Sequence, residues 1–287
     1  MRNIPALLFA SLLVASATAR TAASPDAAPL HAQRNSASDL ELSASAKAVP
    51  RFISYEDLLK LPQVGYTVSD DSNFAPDTQI GGVALAQLAQ LAGVASNSGV
   101  VVAICNDGYQ ATYSREYIAA HRPLLVLKIN GKPPAGWPKS HDGGSMGPYL
   151  ISHPAFTPSF HVLSHRDEAQ IPYGVSRIEL RSPAEVFGPI APRGKYPAGS
   201  AVWQGYHIAQ QNCYRCHNMG NEGGRMARHP WPVLAAWAAS DPKYFAAYVR
   251  NPRAVGADRM MPAMTQYDDQ TIEALRAYFA TFAARPR

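Results

Sequence analysis

Residues 210–220 read QQNCYRCHNMG and place Cys213 and Cys216 three positions apart, with His217 directly after them. The 287-residue chain contains three cysteines, so two of them belong to this one motif. Cysteine pairs at this spacing serve three chemistries: a zinc site, a redox-active disulfide, or covalent attachment of haem. The rest of the sequence decides among them.

Zinc and a redox disulfide are the less favoured interpretations. A structural zinc site takes four ligands, but the sequence has no second Cys-x-x-Cys pair, and His217 is too close to both cysteines to act independently. A thioredoxin-type disulfide belongs to a βαβ context, whereas the pattern around this motif is helical. Both alternatives stay open behind haem.

Haem attachment explains every residue of the motif. The thiols of Cys213 and Cys216 add across two vinyl groups of haem, and the imidazole of His217 reaches the iron from the same side. One helical turn supplies all three bonds. The sequence therefore predicts one covalent haem c, with His217 as the proximal ligand.

A distal ligand is expected in the segment RMMPAM, which ends at Met264. A thioether there would complete six-coordination, although methionines also fill gaps in protein cores. We predict Met261, because the rigid Pro262 follows it directly. Met264 is the fallback, and Met260 is the remaining option.

Residues 201–284 resemble a class I c-type cytochrome. The resemblance is carried by a glycine in the first helix, a proline segment after the motif, a Met-Pro pair and a final amphipathic helix that crosses the first; the matching residues are Gly205, Pro232, Leu234, Met261, Pro262, Leu275 and Tyr278. Ala209 stands where the family usually has an aromatic residue, and Tyr206 is the expected substitute. The resemblance implies that the backbone near Pro232 supports His217.

The resemblance also implies outer-sphere electron transfer. Methionine opposite histidine raises the reduction potential, and two occupied axial positions keep substrates away from the iron. Redox partner proteins are therefore expected. The net charge of +5 is carried by scattered residues, without a basic run interleaved with aromatics, so we expect no nucleic-acid binding.

The first twenty residues, MRNIPALLFASLLVASATAR, predict a signal peptide over 1–19. Arg2 precedes a short apolar run, and Ala17 and Ala19 form an A-x-A cleavage site. After cleavage, the mature chain is expected to have no membrane span. It is expected to lie in a periplasm, where haem attachment can take place. Residues 20–48 are rich in Ala and Ser, which predicts a flexible leader.

Residues 49–185 predict an α+β domain. SYEDLLKLP and VALAQLAQLAGV have helical patterns, and Ser54 and Asp57 have capping-box spacing at the start of the first. The strand candidates are GYTVS, GVVVAIC, YQATYS, LLVLKI and SRIEL, and the segment INGK, which begins at Ile129, predicts an Asn-Gly hairpin turn. A proline-rich segment at 186–200 predicts a linker. The following region, 201–284, is predicted to be all-α.

The order of segments in 49–185 resembles the molybdopterin-binding domain of sulfite-oxidase-like enzymes. In that family a cysteine binds molybdenum from a segment upstream of the VALAQLAQL helix. The corresponding segment here, VGYTVSDDSNFAPDT, has no cysteine, and Cys105 lies downstream. We therefore expect Cys105 to be a core thiol and expect no bound molybdopterin.

These observations predict an exported monohaem c-type cytochrome that carries single electrons between redox partners. Its fold would be a sulfite-oxidase-like α+β N-terminal domain followed by an all-α cytochrome c domain. The alternative is a molybdopterin-dependent oxidoreductase with a built-in haem relay. An electron carrier is favoured over a catalyst.

Overall fold

The structure is a computed structural model that describes residues 30–45, 47–68, 74–92, 99–140, 143–154, 170–256 and 261–283. The predicted signal peptide and Met260 lie outside these residues. The described chain has a sheet-rich N-terminal half and a helical C-terminal half, which confirms the predicted division into an α+β region followed by a helical region.

The N-terminal half is built on short strands. In chain order these are β1 (Leu40–Ser43), β2 (Arg51–Ile53), β3 (Val64–Thr67), β4 (Gln79–Ala84), β5 (Val100–Cys105), β6 (Gln110–Tyr113), β7 (Leu124–Ile129), β8 (Leu150–Ser152) and β9 (Val175–Arg181). One sheet has the order β2-β1-β9-β5-β6, in which only β1 and β9 run parallel. The other has the order β3-β4-β7-β8 and is antiparallel throughout.

All five strand candidates from the sequence correspond to strands, namely β3, β5, β6, β7 and β9. The predicted Asn-Gly turn after β7 is also present, since Asn130 and Gly131 have φ values of 51° and 73°. Two successive positive φ values are typical of the two-residue hairpin turn that Asn-Gly favours.

Short helices join these strands: α1 (Tyr55–Lys60), α2 (Leu85–Leu91), α3 (Arg115–His121) and α4 (Pro183–Phe187). Helix α1 begins after Ser54, whose side-chain oxygen accepts a hydrogen bond from the backbone N–H of Asp57. This cap satisfies one of the N–H groups that the first helical turn leaves without an intrahelical partner, as the Ser54 and Asp57 spacing predicts.

The flexible leader predicted for 20–48 differs from the structure from residue 30 onward. Strand β1 lies inside this segment, between β2 and β9, and Leu40 and Leu42 are buried in the core. Alternating leucines within an Ala- and Ser-rich segment are enough to bury one face of a strand. The average composition of residues 20–48 did not reveal this short strand pattern.

The C-terminal half consists of α5 (Ala201–Asn212), α6 (Trp231–Ser240), α7 (Pro242–Arg250) and α8 (Asp269–Ala280). Helices α5 and α8 cross at Gly205, where an added Cβ would lie 2.0 Å from the carbonyl oxygen of Ala274. Only glycine permits this approach. Tyr206 packs against Tyr278 at 5.7 Å between ring centroids, which places an aromatic contact at the crossing despite Ala209.

The segment predicted as a linker, 186–200, packs against the helical half. Val186 and Ile190 are buried, and their carbonyl oxygens accept hydrogen bonds from the hydroxyls of Tyr214 and Tyr278, at 2.7 and 2.5 Å. The same apolar cluster includes Val100 and Val102 of β5. One core therefore joins the two halves. None of the described helices has the length and apolar character needed to cross a membrane.

Candidate functional site

The Cys-x-x-Cys-His motif forms a tight turn at the end of α5. Cys213 is the C-cap residue of that helix, and its carbonyl oxygen accepts hydrogen bonds from the backbone N–H groups of Cys216 and His217, at 3.2 and 2.9 Å. The helical winding continues long enough to bring the three residues together. This is the arrangement that the sequence predicts.

The other carbonyl groups of the turn are held from outside the motif. The carbonyl oxygens of Tyr214, Arg215 and Cys216 accept hydrogen bonds from backbone N–H groups. The donors are Gly224 (2.9 Å), Gln110 (2.9 Å) and Ala227 (3.0 Å), respectively. A Cβ on Gly224 would lie 1.7 Å from the Arg215 carbonyl oxygen, so the loop after the motif needs glycine there. Because its polar backbone is satisfied, the turn is held in one conformation.

His217 is buried and oriented by a backbone carbonyl. Its Nδ1 lies 2.5 Å from the carbonyl oxygen of His229, and a carbonyl can only accept, so Nδ1 carries the proton. The lone pair is then on Nε2, and this is the tautomer in which Nε2 can bind a metal. The resemblance placed this support near Pro232; the structure places it three residues earlier.

Cys213, Cys216 and His217 line one cavity of about 570 Å³, together with Met261 and Met264. Tyr248 and Val249 of α7 provide buried apolar wall on the helical side. A cavity of this size accommodates a large organic ligand. The donor set of imidazole nitrogen and thioether sulfur, with two thiols alongside, suits a covalently attached haem.

The two described methionines of the RMMPAM segment differ in their contacts. The sulfur of Met264 accepts a weak hydrogen bond from Nε2 of Gln266, at 3.6 Å. Pro262 and Ala263, which separate the two methionines, are exposed. Both methionines line the cavity, so Met261 stays the predicted ligand and Met264 the fallback.

Sequence reasoning missed one methionine of the cavity. Met226 lines it, and the Cys216 thiol donates to the Met226 sulfur at 3.9 Å. Met226 lies in the glycine-rich loop after the motif, where no periodic pattern marks it. It could have been found only from the general preference of sulfur-containing side chains for apolar sites.

The N-terminal half supplies part of the same cavity wall. The contributing residues are Asp107, Tyr109, Ile171, Pro172 and Tyr173. The first two lie between β5 and β6, and the other three precede β9. No sequence pattern indicated this role, because it depends on contacts between distant parts of the chain.

The electrostatic environment makes the unmodified motif a poor redox disulfide. Burial raises the pKa of the Cys216 thiol to about 11, opposed by the nearby charge of Arg215 and reinforced by Asp107. Disulfide oxidoreductases instead lower a thiol pKa to generate the thiolate. Among the described residues, no group of three His, Cys, Asp or Glu side chains is placed so that it could hold a metal ion.

Cys105 lies in the core of the N-terminal half, as expected. It is 4% exposed, and burial is the main cause that raises the pKa of its thiol. A thiol in this environment is protonated at neutral pH and packs as a small apolar side chain.

Residues 200–279 match the family model described as cytochrome C oxidase, cbb3-type, subunit III. The chain thus contains a cytochrome c domain, which implies covalently bound haem c and suggests electron transfer. No curated protein matches the chain in sequence. Matching solved structures include the sulfane dehydrogenase SoxCD from Paracoccus pantotrophus, at 16% identity and a TM-score of 0.34; the match covers 52% of this chain and 40% of that one.

Proposed function

From the cytochrome c domain at residues 200–279, we propose that the chain is a periplasmic, exported monohaem c-type cytochrome that carries single electrons between redox partner proteins. The observation that carries this proposal is the shared cavity. Both motif cysteines, His217 and Met261 line it, although Met261 is remote from the motif in sequence.

In this proposal each residue of the motif has one role. Cys213 and Cys216 would form thioether bonds to haem, and His217 (through Nε2) and Met261 would ligate its iron, with Met264 as the fallback. Haem supplies the one-electron chemistry when it is bound. The protein holds it, sets its potential and limits access to it.

The residues around the ligands support transfer without a bound substrate. The His229 carbonyl fixes the ring of His217 and increases its basicity as a ligand. Tyr248 and Val249 keep water from the cavity wall. With His217 and Met261 holding the iron, electrons would pass through the edge of the haem rather than through a substrate bound to the iron.

For the N-terminal half we propose a molybdopterin-binding-like α+β fold without bound molybdopterin. A molybdenum site of that family would need a thiolate at the cofactor, whereas Cys105 is buried in the apolar core cluster of the N-terminal half. Metal analysis of the purified protein separates the two functions. Iron without molybdenum supports the carrier, and stoichiometric molybdenum supports the oxidoreductase.

The central test is a pyridine haemochrome spectrum of the full-length protein, secreted from cells that express the haem-attachment machinery. We expect the spectrum of a haem with both vinyl groups converted to thioethers, and an intact mass increased by one haem. The control is the double variant Cys213→Ser, Cys216→Ser, which keeps His217 and Met261. Wild-type protein with the mass of the bare polypeptide would overturn the proposal.

A further inference from the structure

The turn between β5 and β6 lies directly against the haem-attachment motif. Gln110 donates its backbone N–H to the carbonyl of Arg215, and the carbonyl of Gly108 accepts the N–H of Arg225 at 2.8 Å. Gly108 has a φ of 88°, and an added Cβ would lie 3.3 Å from the Arg225 backbone. Two backbone bonds therefore fix this turn against the segments on either side of Cys216.

Asp107 is held at the cavity by the same turn. Its Oδ1 accepts the backbone N–H of Tyr109 at 2.9 Å, and both residues line the cavity. Asp107 is an exposed residue of the cavity wall, so its carboxylate is available to act on charges inside the cavity. Arg215, on the motif itself, is the opposing charge on this wall.

The second N-terminal segment of the wall is anchored to β8 and to the turn between β5 and β6. The Pro172 carbonyl accepts the N–H of Ile151 in β8, at 3.0 Å, and the Gly174 carbonyl accepts the N–H of Asn106, at 3.0 Å. Ile171, Pro172 and Tyr173 present mainly apolar surface to the cavity. The N-terminal half thus contributes one charged and one apolar element to the wall.

We propose that the N-terminal half completes the haem pocket and sets the reduction potential, with the Asp107 carboxylate as its main electrostatic contribution. This inference rests on the proposed function, since it concerns the same cavity. It assigns the N-terminal half a positioning and tuning role in place of a separate cofactor. Asp107 acts through the field at the haem and does not ligate the iron.

The sign of the effect follows from charge. Ferric haem carries one more positive charge than ferrous haem, so a nearby carboxylate stabilises the ferric form and lowers the potential. Removal of the Asp107 charge is therefore expected to raise the reduction potential. The interaction is screened by salt, because Asp107 is exposed.

The test is the midpoint potential of the full-length holoprotein, measured by spectroelectrochemical titration at low and at high salt. Asp107→Asn removes the charge but keeps the Oδ1 acceptor for the Tyr109 N–H, so the turn is preserved. Glu56→Gln is the matched control: it removes the same charge from an exposed residue of α1 that does not line the cavity.

We expect Asp107→Asn to raise the potential more than Glu56→Gln, with a smaller difference at high salt. Equal shifts in the two variants, or a lower potential in Asp107→Asn, would overturn the inference while leaving the haem assignment intact. A wild-type protein without a haem spectrum would instead overturn the proposed function, and this inference with it.

Discussion

The Nδ1 atom of His217 and the carbonyl oxygen of His229 are 2.5 Å apart, so the ring that is expected to bind iron is oriented by backbone rather than by a side chain. His217→Ala should therefore lose the low-spin haem spectrum, because the proximal ligand is removed. His229→Ala keeps the carbonyl and should retain that spectrum. Absorption spectra of the two secreted variants test this pair.

His229→Ala should also change the thermal stability of the protein. The ring of His229 packs against Trp237 at 4.8 Å between centroids, so His229→Ala should lower the melting temperature moderately. Loss of the low-spin spectrum in a folded His229→Ala protein would contradict the assignment of the backbone carbonyl.

The cysteines should separate cleanly by role. Cys213→Ser and Cys216→Ser each leave at most one thioether, so we expect a smaller fraction of the secreted chain to carry the haem mass. Cys105→Ala alters only a core thiol and should secrete with the full haem mass. Intact-protein mass spectrometry measures all three; haem loss specific to Cys105→Ala would place that residue in the attachment site.

Methionine variants should identify the distal ligand. Met261→Ala is expected to abolish the weak sulfur-to-iron absorption band of the ferric protein, whereas Met226→Ala should retain it. Met264→Ala should also retain the band, because Met264 is proposed only as the fallback ligand. The reverse result for Met261 and Met264 would assign the ligand to the fallback residue.

The crossing of α5 and α8 should tolerate no side chain at Gly205. Gly205→Ala forces a Cβ into the Ala274 carbonyl and should destabilise the protein by about 1 to 3 kcal/mol, as overpacking does. Gly188→Ala is the control, since Gly188 has a helical φ of −54° and open space around its Cβ position. Chemical denaturation compares them; similar midpoints would mean that the helices can separate without cost.

Acid should destabilise the N-terminal half through His153. Burial, with the nearby charges of His121 and Arg215, lowers the pKa of His153 to about 3, and its Nε2 lies 3.0 Å from the Tyr117 hydroxyl. The unfolded chain binds a proton near pH 6.5, so the free energy of unfolding should fall as the pH drops from about 6.5 towards 3.

A variant isolates this contribution. His153→Gln keeps a polar side chain near Tyr117 but cannot titrate, so it should be less stable at neutral pH and show a flatter pH dependence below 6.5. Chemical denaturation at several pH values provides the measurement. An unchanged slope would show that other groups cause the acid sensitivity.

Local patterns in the sequence predicted much of this protein. The strand β5, the cap at Ser54 and the stripe of Ile272, Leu275 and Phe279 on α8 all depend on neighbours within a few residues. The attachment motif is equally local, because one turn holds all its residues. The choice of Met261 depended on a family resemblance and on the proline beside it.

What could not be predicted depends on distant contacts. Strand β1 is short and lies in a segment of disorder-like composition, yet β2 and β9 provide its partners. The resemblance implied backbone support for His217 near Pro232, but residue identity alone did not show that the acceptor is the carbonyl of His229. Asp107 resembles any turn aspartate until the fold places it beside Cys216.

Val100 and Val102 project from a sheet of one half into the apolar cluster of the other. Cleavage of the chain near residue 190 would therefore expose apolar surface on both fragments, and neither fragment would be expected to fold independently. Melting should proceed as a single cooperative event, and limited digestion should not release a stable haem-bearing fragment.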